Sequence, residues 1–157
     1  MNKNKITDLL IYIVSAELAG ALSGIIAGGS FGTYYDTLIK PPLSPPGWLF
    51  PLVWAVLYAL MGLSAYIIGV SQSSLVRPAL TLYLAQLFLN LLWGPVFFGL
   101  RSFGGAVAAA AALLAVLICM LIIFSRINKC AVLINLPYAL WSAFALYLSV
   151  GFFVLNS

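Results

Sequence analysis

Charged residues interrupt this chain so rarely that its apolar positions fall into five long runs, at about residues 6–27, 48–70, 79–100, 104–124 and 131–155. Each run is long enough for the roughly 20 residues that carry an α-helix across the hydrocarbon core of a bilayer. Transmembrane strands would need about half that length and would alternate polar with apolar positions, which these runs do not. The breaks at 71–77, 101–103 and 126–129 are short and admit little beyond a tight turn between antiparallel neighbours. Pro78 fits the first turn of the third run, where its missing N–H has no partner to lose. The pattern predicts an all-α membrane protein, a five-transmembrane-helix bundle that forms a single domain over residues 1–157.

Composition removes the alternative of a soluble fold. The chain is 64% hydrophobic and 6% charged, whereas a soluble domain carries roughly a quarter charged residues. A mean hydropathy of +1.15 cannot be hidden in the core of so small a body. Lipid is the solvent.

The net charge of +4 comes from single, scattered residues rather than a basic patch, which argues against nucleic acid as a partner. They read as anchors at span ends. Lys3, Lys5, Arg77, Arg126 and Lys129 fall on the side of the N-terminus, and Lys40 and Arg101 on the other. That bias predicts a multi-pass protein of a bacterial-type cytoplasmic membrane, with the N-terminus cytoplasmic and the C-terminus outside. The first run continues past Ala19-Gly20-Ala21 to Ala27, too far for the core of a cleaved signal peptide, and is expected to remain as a span.

Conventional catalysis finds no support. The chain has no His, so it lacks the commonest metal ligand and the usual general base. Cys119 and Cys130 make no disulfide framework. The GGSFG run at 28–32 lacks the Lys of a phosphate loop. No carboxylate pair, nucleophile triad or metal-ligand cluster is present, and no metal site or obligatory cofactor is expected.

Other features do carry information. The loop 28–47 holds Pro41, Pro42, Pro45 and Pro46, which predict a stiff, non-helical arm after Tyr34, Tyr35 and Asp36. It is either a lid over the bundle mouth or a simple surface connector. In the third run Tyr83, Gln86, Asn90, Trp93 and Phe97 are spaced three and four apart and share one face. Two amides at mid-membrane depth must look into the bundle, as parts of a site or as interhelical glue. Trp54, Tyr58 and Met61 repeat the pattern in the second run, as do Pro137, Tyr138, Trp141, Phe144, Ala145 and Leu148 in the fifth. One aromatic stripe is more often core than binding wall. Three of them, with two amides, suit a large, planar, apolar ligand.

Glu17 lies in the middle of the first run and is expected to face inward, neutral and hydrogen-bonded, or else to carry protons. Gly20, Gly24 and Gly28, preceded by Ala16, form a stripe of small residues that serves an internal contact or a homodimer seam.

Residues 33–66 (TYYDTLIKPPLSPPGWLFPLVWAVLYALMGLSAY), 83–98 (YLAQLFLNLLWGPVFF) and 136–149 (LPYALWSAFALYLS) resemble, in order, three blocks of the TspO/MBR family. These are the tryptophan-rich sensory proteins and translocator proteins, formerly peripheral-type benzodiazepine receptors. The resemblance implies a five-helix fold, often a homodimer, that binds porphyrins and other tetrapyrroles. In animal members it implies cholesterol and synthetic drug ligands as well. It implies a pocket lined by Tyr35, Pro45, Trp54, Tyr58, Gln86, Asn90, Trp93, Phe97, Trp141 and Ala145, with Trp54 and Trp141 matching the tryptophans tied to photochemistry. The implied function is a membrane receptor for porphyrins in tetrapyrrole regulation or stress. The alternatives are light-dependent protoporphyrin IX degradation and small-molecule transport with Glu17 as proton carrier. Tyr147 is followed by LSVGFFVLNS, without the basic residue of the animal sterol motif, which counts against cholesterol. The absence of His favours a metal-free porphyrin over haem.

Overall fold

A computed structural model describes residues 3–28 and 31–157. Gly29 and Ser30 of the GGSFG run lie outside them. The elements are α1 (Lys3–Ile26), α2 (Phe31–Thr37), α3 (Leu49–Gly69), α4 (Val76–Gly94), a π-turn (Pro95–Gly99) that continues α4, α5 (Phe103–Ile127) and α6 (Lys129–Asn156). Five bodies, α1, α3, α4 with its π-turn, α5 and α6, are long and apolar enough to cross a membrane. Their positions agree with the five runs. The short helix α2 was not legible, because seven residues inside a loop carry no usable periodicity.

The five spans close a ring. α1 packs on α3 and α4, α3 on α6, α6 on α5, and α5 on α4. Helix ends use local chemistry: the Ser102 hydroxyl accepts the Gly105 N–H at the start of α5, and Asn128 accepts the Cys130 N–H at the start of α6. Pro95 has no N–H to give the carbonyl of Leu91 one turn back. The Ser23 hydroxyl of α1 donates to that carbonyl instead, at 2.8 Å. One proline thereby widens α4 and ties it to α1.

Close approach of α1 and α3 depends on glycine. A β-carbon on Gly62 would stand 2.6 Å from the Cα of Ile13, and one on Gly20 would overlap the Tyr58 ring. Gly20 therefore serves an internal contact. The half of the core remote from the long loop is mostly aliphatic, built on Met61, Ala65, Ile68, Leu117 and Met120 with Phe124 among them. Asn135 donates there to Ser64, and Ser64 to the Ala131 carbonyl at 2.9 Å, joining α3 to α6. The loop-side half is aromatic. Outward positions such as Leu10, Ile11, Leu18 and Ile25 are apolar and exposed because they face lipid.

Pro137 departs from the expected inward stripe of the fifth span. The buried face of α6 runs through Tyr138, Ser142, Ser149 and Phe152, and Pro137 falls beside it, exposed.

Candidate functional site

Two compartments occupy the loop-side half of the bundle. The first is a chamber lined by Trp54 of α3, Trp93, Phe97 and Phe98 of α4 and its π-turn, and Trp141, Phe144, Ala145 and Phe152 of α6. Trp93 and Phe97, one turn apart, stack at 5.3 Å. The wider π-turn lets Phe97 and Phe98 both point inward, with ring centroids 4.7 Å apart. Edge-to-face contacts fill the rest: Tyr35 on Phe50 at 5.4 Å, Tyr35 on Phe152 at 5.6 Å and Phe97 on Phe152 at 5.3 Å. About 10 Å³ of free space remains, room for no more than one water.

The second compartment, between α1, α3 and α4, is a cavity of about 330 Å³. Glu17, Gly20, Ala21 and Gly24 line it from α1, Trp54 and Tyr58 from α3, and Asn90, Trp93 and Gly94 from α4. Small residues on α1, Ala21 and Gly24 among them, leave it unfilled on that side. Phe50, Trp54 and Trp93 line both compartments and form the partition.

A buried hydrogen-bond chain runs from the cavity wall across the bundle. Tyr58 O–H donates to Asn90 Oδ1 at 2.6 Å, Asn90 Nδ2 to Tyr138 Oη at 3.0 Å, and Tyr138 O–H to Gln86 Oε1 at 2.6 Å. The indole N–H of Trp93 donates to Ser149 Oγ at 3.1 Å. Among the described residues, Gln86 Nε2, Tyr83 Oη, Trp141 Nε1 and Ser142 Oγ are buried without a partner. Each such group costs about 1–3 kcal/mol until water or a ligand engages it.

The loop folds over the chamber as a strapped lid. Tyr35 is buried, and its hydroxyl donates to the Pro45 carbonyl at 2.7 Å. Burial, and secondarily the charge of Asp36, push the Tyr35 phenol above its ordinary value, against the Ser44 hydroxyl and the Lys40 ammonium. Lys40 pairs with Asp36 at 2.7 Å and lies 4.5 Å over the Tyr35 ring, while Arg101 lies 4.7 Å over Tyr34. The C-terminal end of α6 holds the arm. Asn156 exchanges hydrogen bonds with Ile39, and Tyr147 O–H donates to the Pro42 carbonyl at 2.9 Å. Pro41 is buried against Gly151, and 41–46 is non-helical, as the prolines predict.

The ten residues named from sequence divide between these environments. Tyr35, Phe97, Trp141 and Ala145 line the chamber, Tyr58 and Asn90 the cavity, and Trp54 and Trp93 both. Pro45 and Gln86 line neither. Pro45 contributes its carbonyl to Tyr35, and Gln86 ends the hydrogen-bond chain in the core. Glu17 faces inward onto the cavity, but without the expected hydrogen bond among the described residues. Sequence reasoning missed Phe50, Phe98 and Phe152. Phe50 is one turn before Trp54 and Phe152 one turn after Leu148, so extending each stripe would have found them. Phe98 breaks the helical period and offered no such signal.

The profile of the TspO/MBR family matches residues 11–155. The chain belongs to the TspO/MBR family. It is 37% identical over 125 residues to a tryptophan-rich protein TspO of Chlorobaculum tepidum, covering 78% of this chain and 79% of that one. It is 31% identical over 153 residues to protein CrtK of Rhodobacter capsulatus, covering 96% and 94%. It is also 34% identical over 143 residues to a translocator protein of Bos taurus, covering 82% and 78%. The TspO/MBR match takes in all five spans and the lid, so both compartments lie within the shared region.

Proposed function

We propose that this membrane protein binds porphyrins, metal-free protoporphyrin IX foremost, as a receptor in tetrapyrrole regulation or stress. The supporting observation is the convergence of Trp54, Trp93 and Trp141, from three spans, on two compartments separated only by side chains. Turning the Trp54 or Phe50 ring would merge the two into one flat-walled space. Indole faces suit a planar macrocycle, and the partnerless Trp141 N–H suits its polar edge. The N-terminus is cytoplasmic and the lid outside in this reading.

Titration of the purified protein with protoporphyrin IX tests it. Quenched tryptophan emission and a shifted Soret band are expected at micromolar ligand, and neither changing would remove the reading. A second reading, light-driven degradation of the bound pigment, is favoured by Trp54 and Trp141 sharing one chamber. Equal bleaching by wild type and Trp141→Phe under illumination would dismiss it.

A further inference from the structure

The α1 wall of the cavity holds a group that the tetrapyrrole reading leaves unused. Glu17, Gly20 and Gly24 are spaced three and four apart, so the carboxyl shares the face of α1 that lines the cavity. Among the described residues no basic side chain lines this space. Lys5, Lys40, Arg77, Arg101, Arg126 and Lys129 all stand at or beyond span ends. The ion pair among the described residues is Lys40 with Asp36, which lies in the lid and not at Glu17.

The hydroxyls beside Glu17 have also spent their protons elsewhere. Ser23 O–H donates to the Leu91 carbonyl and Tyr58 O–H to Asn90 Oδ1. A structural glutamate would be expected to hold one of these donors. Glu17 holds neither, although both line its cavity. An ionisable group at this depth is costly unless something pairs with it. Trp54, Tyr58 and Trp93 line the same cavity, and the negative quadrupoles of such rings attract cations. A carboxyl among aromatic faces is the chemistry of cation recognition.

We propose that the α1–α3–α4 cavity takes a lipophilic organic cation, a flat apolar molecule whose protonated nitrogen pairs with Glu17 while its rings lie on Trp54 and Trp93. The inference rests on the binding reading above only for the flat, apolar shape of the ligand.

Two probes of one ring system test it in non-ionic detergent at mildly alkaline pH: 9-aminoacridine, protonated there, and acridine, neutral there. Wild type is expected to bind 9-aminoacridine about tenfold or more tightly than acridine. Glu17→Gln, which keeps the shape of the side chain, is expected to erase that preference and leave acridine affinity unchanged. Retained acridine binding also reports that the variant is folded. Equal affinities in wild type, no binding of 9-aminoacridine, or a preference that survives Glu17→Gln would each overturn the proposal. Protoporphyrin IX, run in parallel, reads the receptor function separately. Its failure to bind beside a Glu17-dependent cation would sink the tetrapyrrole reading alone, and its binding beside indifferent acridines would sink this one alone.

Discussion

On the α6 side of Trp54 and Trp93 the bundle is filled, and on the α1 side it is open. The partition is the same for both compartments, so the difference lies in what faces it. α6 presents Trp141, Phe144 and Phe152, whose rings leave about 10 Å³. α1 presents Gly20, Ala21 and Gly24, and about 330 Å³ stays free. Room for a ligand is thus set by side-chain size on the opposing helix. The filled side contributes cohesion and the open side capacity.

If that division holds, emptying the filled side should cost most. Phe152→Ala removes a buried ring that contacts Tyr35 and Phe97. Loss of a buried ring costs about 3–5 kcal/mol, so a large fall in melting temperature in detergent is expected. A melting temperature within a degree or so of wild type would mean that the chamber is not the cohesive half. Tyr138→Phe comes next. It leaves Asn90 Nδ2 and Gln86 Oε1 without their partner in a fully buried place, for about 1–3 kcal/mol. Tyr58→Phe should cost less, since it leaves one group, Asn90 Oδ1, without its donor, beside a cavity that Asn90 also lines. Equal melting temperatures for the two would erase the contrast between closed and open sides.

What the sequence disclosed follows the same line. Spans were legible because lipid tolerates only continuous apolar helices, and the α4 stripe because Tyr83 to Phe97 keeps one period. Beyond Phe97 the period fails, since the π-turn after Pro95 turns Phe98 inward as well. Pro45 acts through its carbonyl, a role that side-chain identity does not reveal. Gln86 and Asn90 look equivalent on the stripe, yet only Asn90 reaches the cavity. The division into two compartments was illegible because it depends on how rings interlock, not on which residues are aromatic.

A smaller effect should appear on the open side. Gly24→Leu places an aliphatic side chain where the cavity now is, and it should weaken protoporphyrin IX about tenfold, a change worth about 1.4 kcal/mol. Its melting temperature should stay near that of wild type, because no filled space is disturbed. Unchanged affinity would move the ligand out of this cavity and back to the aromatic side.

The smallest effect concerns the lid, which belongs to the filled side yet meets water. The neutral Tyr35 phenol donates to Pro45, and the fold raises the phenol's pKa. A raised value means the closed lid favours the protonated form. Its contribution is fully present below the ordinary phenol value of about 10 and is lost as pH rises through the higher folded value. Tyr35→Phe removes the hydrogen bond at every pH, for about 0.5–1.5 kcal/mol, and should abolish the alkaline step. Proteolysis of the 38–47 arm at rising pH would show both: wild type should become susceptible only in alkali, while the variant's slightly greater susceptibility stays flat. An alkaline step of equal size in Tyr35→Phe would assign lid closure to some other group.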